Sequence, residues 1–163
     1  MTDRGEWGIT GRVASITVSD GGVPKRRVTA AQVTRAGVIG DRQRNLKYHG
    51  GLDRALCVWS GDLIAALQEE GHPVFPGSTG ENVAVVELDW SEAVPGVRLR
   101  LGEVLAEVTS FAMPCRTIRS SFVGGRSGRI SQRTYPGWSR VYARVIEEGA
   151  IAVGDPVAVV GAA

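Results

Sequence analysis

The sequence has few of the features of exported, membrane-spanning or disulfide-linked proteins. Only 2 of its 163 residues are cysteines, and they lie far apart, so we expect reduced thiols and no disulfide framework. No apolar run approaches the ~18 residues that a transmembrane helix needs. The first ten residues lack the apolar core and cleavage pattern of a signal peptide. We therefore expect a cytoplasmic protein with no membrane partner, in which residues 1–163 form one domain.

Sequence motifs of several enzyme classes are also missing. There is no G-x-x-x-x-G-K-[ST] phosphate loop and no G-x-G-x-x-G between a strand and a helix, which disfavours the common nucleotide-binding folds. There is no G-x-S-x-G and no H-E-x-x-H, which disfavours serine hydrolases and zinc proteases of those types. The spacing of the cysteines and histidines does not match a structural zinc site.

Lysine is scarce, and arginine supplies most of the positive charge. Of the 19 basic residues only 2 are lysines, and residues 108–146 contain seven arginines and no acidic residue. Forked guanidinium donors suit phosphate and carboxylate groups, so this segment predicts an anionic small-molecule ligand. The alternative is a solvated basic surface that pairs with acidic residues from elsewhere. Nucleic-acid binding is a minor alternative, because the rest of the chain is net acidic.

Alternating apolar residues and frequent turn residues predict a mainly β, barrel-like domain with one or two short helices. Ser60 is placed to cap a helix over Asp62–Glu70, because Leu63, Ile64 and Leu67 share one face. The predicted strands lie at 6–19, 26–34, 55–59, 82–88, 97–101, 104–111, 138–147 and 151–160. The sequence predicts a tight connection between elements at residues 37–40 and a loop rich in glycine and arginine at residues 123–132. The order of the strands does not follow from the pattern.

Cys115 is the strongest candidate for chemistry. Pro114 favours a short helix over Cys115–Phe122, which would place the thiol in the first helical turn. The helix start and the guanidinium groups of Arg116 and Arg119 would lower the pKa of the thiol and populate the thiolate. A thiolate can act as a nucleophile, carry a persulfide or bind a soft metal, so Cys115 is both a catalytic and a metal-ligand candidate. The alternative is a buried structural cysteine, which is the role that we expect for Cys57.

Two further motifs combine glycine with polar residues. The first, residues 47–53, contains Lys47, Gly50 and Gly51 as candidate ligand-binding residues and His49 and Asp53 as a candidate acid–base pair. The second, residues 76–82, offers Gly80, Glu81 and Asn82 as candidate ligand contacts. An ordinary β-turn explains either motif as well. Finally, Arg126 and Arg129 lie in a loop that could grip an anion or remain a plain surface loop.

These motifs occur together in an order that resembles the MOSC family, named for the C-terminal domain of molybdenum-cofactor sulfurases. The resemblance spans about residues 10–160 and rests on four segments: 49–55 (HGGLDRA), 76–82 (PGSTGEN), 114–115 (PC) and 149–155 (GAIAVGD). The chain is similar to stand-alone bacterial members of the family. The resemblance implies a β-barrel fold that binds the molybdenum cofactor, molybdopterin, with a functional cysteine at Cys115.

The resemblance also implies two activities between which the sequence does not decide. In one, Cys115 ligates molybdenum and the protein supports detoxification of N-hydroxylated substrates by reduction, with electrons from a flavoprotein or ferredoxin. In the other, Cys115 carries sulfur as a persulfide that a cysteine desulfurase supplies. The residues leave open a carbon–sulfur lyase or hydrolase that uses His49, Asp53 and a divalent metal. A binding module without enzymatic activity is the remaining alternative.

Overall fold

The computed structural model describes residues 11–42 and 51–162, which form a closed β-barrel with short helices around it. The strands are β1 (Gly11–Val18), β2 (Arg26–Val28), β3 (Ala30–Thr34), β4 (Gly37–Val38), β5 (Leu56–Ser60), β6 (Val83–Val86), β7 (Val97–Leu101), β8 (Val104–Phe111), β9 (Val141–Glu147), β10 (Gly149–Ala152) and β11 (Pro156–Ala162). One α-helix, α1, covers Gly61–Glu69. Short 3-10 helices cover Leu52–Arg54, Trp90–Glu92, Arg116–Ser121, Val123–Gly125 and Ser127–Ile130.

Seven strands close the barrel in the order β11-β7-β8-β9-β5-β6-β1, with β11 pairing back to β1. The sheet is antiparallel except for the β5–β6 pair, which is parallel. A parallel pair needs a crossover between its strands, and α1 supplies it. β2 extends the sheet beside β1, while β10, β3 and β4 form a separate small sheet. The predicted mainly β, barrel-like fold is confirmed.

The barrel closes because alternate side chains of its strands bury apolar groups on the inside. In β7, Leu99 and Leu101 are fully buried, while the arginines between and beside them point outward. Arg98 pairs with Glu107 on β8 and Arg100 pairs with Glu147 on β9, across the outer face. Both the bounds of this strand and its half-buried character are as the sequence predicts.

The α-helix follows the sequence prediction to within one residue at each end. The backbone N–H of Leu63 donates to the Ser60 hydroxyl at 3.1 Å, so Ser60 is the N-cap. Ile64 and Leu67 are buried against the barrel, as their shared face predicts. No helix in the described ranges has the length and apolar composition to cross a membrane.

The single strand expected at residues 151–160 is divided by a turn at residues 153–154 into the end of β10 and the start of β11, and the loop expected at residues 123–132 contains two 3-10 helices. Two further predicted segments differ from the structure. The single strand expected at residues 26–34 is divided at Thr29, because β2 pairs with β1 in the barrel and β3 pairs with β10 in the small sheet. Residues 37–40 begin with a two-residue strand, β4, rather than a plain connection. The pairing of β3 with β10, which lies far along the chain, decided the first case, and local alternation carries no information about that pairing. The second case is a local hairpin, because β4 pairs with β3 (Val33↔Val38 and Thr34↔Gly37).

Candidate functional site

A cavity of about 670 Å³ opens at the end of the barrel where β1 and β8 finish and where β6 and β9 begin. Five of its lining residues are basic, namely Lys25, Arg42, Arg54, Arg116 and Arg140. No Asp or Glu among the described residues lines it. Apolar and aromatic side chains, including Phe111 and Tyr142, complete the wall. Such a cavity favours an anionic ligand with flat or apolar parts.

Cys115 lines this cavity and is only partly buried. Its Sγ lies 2.8 Å from the Thr117 hydroxyl, which also lines the cavity. The predicted helix is different in the structure: residues Arg116–Ser121 form a six-residue 3-10 helix, and Cys115 precedes it in an extended conformation (φ −118°, ψ 173°). The thiol therefore lies outside the first helical turn, and so short a helix has little macrodipole to favour a thiolate.

Arg140 places a guanidinium in the cavity wall without a salt bridge to any described carboxylate, although its charge acts on the buried Glu81, whose pKa is raised by burial and lowered by this guanidinium. The residue is only 4% exposed, and it comes directly before β9. Its two terminal nitrogens donate to backbone carbonyls, those of Thr79 at 2.6 Å and Met113 at 3.2 Å, while Nε has no hydrogen-bond partner among the residues that the structure describes. Because a buried charge without a counter-ion is costly, this guanidinium favours an anion in the adjoining cavity.

Lys25, by contrast, has a buried partner. Its Nζ lies 2.6 Å from Asp41 Oδ1, and both side chains are more than nine-tenths buried. Asp41 also accepts hydrogen bonds from the backbone N–H of Ser19 and from the Asn82 amide, both at 2.8 Å. Asn82 in turn accepts from the backbone N–H of Cys57 at 3.0 Å. This network fixes one side of the cavity wall to the barrel strands.

Glu81 stabilises the loop that precedes β6. Its carboxylate accepts hydrogen bonds from the backbone N–H of Gly77 and, at 2.5 Å, from the Thr79 hydroxyl. Burial raises the pKa of Glu81 above its ordinary value, and these hydrogen bonds oppose the rise. Thr79 and Gly80 line the cavity, whereas Glu81 and Asn82 do not. Two candidate ligand contacts from the sequence therefore lie behind the wall, where they shape it.

Gly77 is required by the packing of this loop. It has a φ of +89°, and a Cβ there would lie 2.6 Å from the Lys25 carbonyl oxygen. We expect Gly77→Ala to lower the free energy of unfolding by about 2–4 kcal/mol, since strain at positive φ adds to the steric clash. Chemical denaturation measures this loss.

The matched control for Gly77→Ala is Gly71→Ala. Gly71 has a φ of +95°, but a Cβ there meets nothing within 4 Å. Gly71→Ala therefore introduces backbone strain without a steric clash, and we expect it to lower the free energy of unfolding by about 1 kcal/mol. Equal losses for the two variants would contradict the role that we assign to the close approach of Gly77 to Lys25.

Cys57 is buried, as expected, and also lines the cavity. It packs with Ala112 and Tyr142 in a small cluster. Burial raises the pKa of the Cys57 thiol to about 11, so this thiol is protonated near neutral pH. Cys57 and Cys115 thus present thiols of different exposure to one cavity.

The other predicted site residues are divided between the cavity and its surroundings. Arg116 lines the cavity, whereas Arg119 and Arg126 are exposed outside its wall. Arg129 donates two hydrogen bonds to Glu70, and its guanidinium carbon lies 3.8 Å from the Trp138 ring centroid. This arginine therefore has a structural partner.

The motif at residues 47–53 is described only in part. Lys47, His49 and Gly50 lie outside the described residues. Asp53 is exposed, and its backbone carbonyl accepts a hydrogen bond from the Thr109 hydroxyl. Gly51 precedes the 3-10 helix Leu52–Arg54, and neither Gly51 nor Asp53 lines the cavity. Among the described residues, no group of three or more His, Cys, Asp or Glu side chains is arranged to hold a metal ion.

Sequence reasoning did not select several residues that line the cavity. Lys25, Arg42 and Tyr142 come from separate parts of the chain, and nothing local distinguishes them. Arg54 lies in segment 49–55, which supports the family resemblance, but its side chain was not selected as a ligand contact. Arg140 carried a usable signal, since it is a charged residue directly before a strand whose residues Val141, Ala143 and Val145 are buried. A charge at the edge of such a strand is buried only with a specific role.

A comparison with family models identifies the fold around this cavity. The model of the MOSC domain matches residues 45–158. The chain belongs to the MOSC family. MOSC domains are associated in general with the molybdenum cofactor. The predicted membership is confirmed.

Two relatives of the chain are bacterial proteins. The chain is 30% identical over 135 residues to the uncharacterised protein YflK of Bacillus subtilis, which covers 82% of this chain and 60% of YflK. It is 30% identical over 137 residues to YiiM of Escherichia coli, covering 78% and 58% of the two chains. The chain thus spans about three-fifths of the length of these relatives.

A solved MOSC-like structure supports the architecture. The crystal structure of YiiM from Geobacillus stearothermophilus matches with a TM-score of 0.72 at 24% identity, covering 92% of this chain and 75% of that one. At this level of identity the similarity concerns the fold alone.

Proposed function

We propose that the cavity binds the molybdenum cofactor, with Cys115 as the protein ligand to the metal. The observation that carries the proposal is the combination, in one cavity, of a partly exposed thiol, five basic residues and no described carboxylate. The pterin cofactor has a phosphate and an anionic dithiolene, and these groups match guanidinium donors. Thiolate sulfur is a soft ligand of the kind that such a metal accepts.

The residues of the cavity fit this group. The buried Arg140 guanidinium has an unpartnered Nε and no ion pair within the described residues, so an anion in the cavity would compensate its charge. Lys25 is already neutralised by Asp41 and contributes mainly to the shape of the wall. Arg42, Arg54 and Arg116 lie at positions where they would hold further anionic groups.

The side chains of the cavity would bind and orient the ligand. Arg140 would fix an anionic group in the wall, and the aromatic side chains of Phe111 and Tyr142 would exclude water from its flat part. The Thr117 hydroxyl, 2.8 Å from Cys115 Sγ, would donate to the sulfur when it is ionised. The bound cofactor would supply two-electron redox chemistry at the metal. We propose reduction of N-hydroxylated substrates with an external electron donor as the reaction.

The proposal predicts that Cys115→Ala loses molybdenum. Wild-type protein and the variant are purified from a host that makes the cofactor, and bound molybdenum and pterin are measured. We expect the variant to retain less than about a tenth of the molybdenum bound by the wild type, because the thiolate ligand of the metal is removed. Cys57→Ala is the matched control. It removes the protonated thiol of the same cavity and is expected to retain the metal.

Three outcomes would contradict the proposal. Wild-type protein without molybdenum or pterin, even after addition of the cofactor, would reject cofactor binding. A sulfur adduct on Cys115 after incubation with a cysteine desulfurase, with no metal bound, would replace it with the sulfur-carrier function. Equal metal in wild type and Cys115→Ala would remove Cys115 as the ligand.

A further inference from the structure

The wall of the cavity that follows Cys115 packs on the core through Ile118, Phe122 and Ile130, and three hydrogen-bonded contacts within the described structure also hold it. Residues 116–130, here called the wall segment, consist of short 3-10 helices. The Ser121 hydroxyl donates to the Ser78 carbonyl at 3.3 Å. The other two contacts come from the turn after α1: Val123 N–H donates to His72 Nδ1 at 3.1 Å, and Arg129 pairs with Glu70.

The contact to His72 depends on the protonation of its ring. Nδ1 accepts the hydrogen bond from the Val123 backbone, so this nitrogen cannot carry a proton while the bond exists. The ring also packs edge-on against Phe122, with a centroid distance of 5.4 Å and an interplanar angle of 60°. Protonation at Nδ1 would replace an acceptor with a second donor that faces the Val123 N–H. The hydrogen bond would then be lost.

The neighbouring contact from Glu70 does not change in the same pH range. Two hydrogen bonds from Arg129, at 3.1 and 2.9 Å, hold the carboxylate, and they lower the pKa of Glu70 below its ordinary value. Glu70 therefore remains ionised across the range in which imidazole titrates. Among the described residues, the charged groups near His72 are this carboxylate, on its own turn, and the Arg129 guanidinium that pairs with it, on the wall segment. They attract and repel an imidazolium respectively, and His72 is the contact whose hydrogen bond is lost on protonation.

We propose that His72 is a positioning residue that holds the wall segment through Val123 and releases it on protonation. Residues 116–118, at the start of the wall segment, line the cavity directly after Cys115. Release at Val123 therefore removes one attachment of the segment that carries Arg116 and Thr117, while Ile118 and Phe122 keep that segment on the core, so the expected effect on the cavity is modest. The effect on the cavity rests on the proposed anion-binding function, whereas the release of Val123 does not.

Amide hydrogen exchange at Val123 tests the release without a ligand. Protection factors, corrected for the intrinsic rate at each pH, are measured at pH 8 and pH 5.5. We expect the wild type to lose protection by about fivefold at the lower pH, as for one hydrogen bond of ordinary strength. His72→Asn is the conservative variant, since its side-chain oxygen accepts a hydrogen bond from Val123 without titrating. Its protection is expected to stay constant.

The variants distinguish a positioning role from a merely structural one. Glu70→Gln is expected to keep the pH dependence at Val123, although it weakens the contact to Arg129. His72→Phe is expected to show low protection at both pH values. An unchanged protection factor in the wild type, or an equal loss in His72→Asn, would overturn the proposal.

Sulfate binding then tests the consequence for the cavity. Sulfate keeps its charge between pH 5.5 and pH 8, so a change in its affinity reports on the protein. We expect the affinity of the wild type to fall by about two- to fivefold more than that of His72→Asn at the lower pH. A higher affinity of the wild type for sulfate at pH 5.5 than at pH 8 would contradict the proposal that protonation loosens the wall. If neither protein binds sulfate, the proposed anion site fails, while the exchange result still decides the role of His72.

Discussion

Asp41→Ala is expected to lower the free energy of unfolding by about 3–5 kcal/mol, the cost of leaving a buried charge unpaired. The Lys25 ammonium would lose its only ion-pair partner in the described structure, at a site where its side chain is 7% exposed. The backbone N–H of Ser19 and the Asn82 amide would lose an acceptor as well. Denaturant unfolding, with the slope compared between variants, measures the loss.

The exposed ion pair between Arg12 and Glu87 is the control for Asp41→Ala. Its charged atoms lie 2.7 Å apart, but its side chains are 53% and 63% exposed. Arg12→Met is therefore expected to cost less than about 1 kcal/mol. The double variant Lys25→Met/Asp41→Ala should recover part of the loss, because no unpaired ammonium remains. A small effect of Asp41→Ala, similar to that of Arg12→Met, would show that the buried network is not a stabilising anchor.

Arg140→Met is expected to weaken sulfate binding in the cavity by about 10- to 150-fold, the value of one or two charge-assisted hydrogen bonds. Stability should change much less than binding. The substitution removes a buried cation that forms no ion pair within residues 11–42 and 51–162, which favours the fold, but takes the Arg140 donors from the Thr79 and Met113 carbonyls, which opposes it. Calorimetric titration with sulfate and a parallel denaturation experiment measure the two effects.

Arg126→Met is the matched control for this experiment. Arg126 belongs to the same arginine-rich segment but is exposed and does not line the cavity. The Arg126→Met variant tests whether overall positive charge accounts for sulfate binding. We expect its sulfate affinity to change by less than about threefold, as for a screened surface charge. Equal losses for Arg140→Met and Arg126→Met would mean that the anion binds to a diffuse basic surface.

Parts of the fold could be predicted because their signals are local. The alternation in β7 and the Ser60 cap of α1 depend on residues within a few positions of each other. Thr29, at the break between β2 and β3, shows the limit of such signals. Nothing near Thr29 indicates that the chain leaves the barrel there, since β2 pairs with the preceding strand β1 whereas β3 pairs with β10, more than 100 residues later.

The site was predictable in its central residue and less so in its surroundings. Cys115 was selected for its basic neighbours, and it lines a cavity with basic residues, although only Arg116 and Arg140 of the seven arginines in residues 108–146 line that cavity. The motif with Glu81 and Asn82 marks the right loop, but the polar side chains point into the protein. A sequence motif shows which loop carries glycine and polar residues. It does not show whether their side chains face the cavity or the interior of the protein.

The sequence by itself determined the mainly β architecture, the membership of the MOSC family and the choice of Cys115 as the residue to examine. Only the tertiary structure decided which cations surround that thiol. Lys25, Arg54 and Arg140 are brought to one end of the barrel by strand pairing between segments far apart in the chain. The physical reason is that periodicity and capping act over a few residues, whereas the field in a cavity is the sum of charges that closure of the barrel brings together.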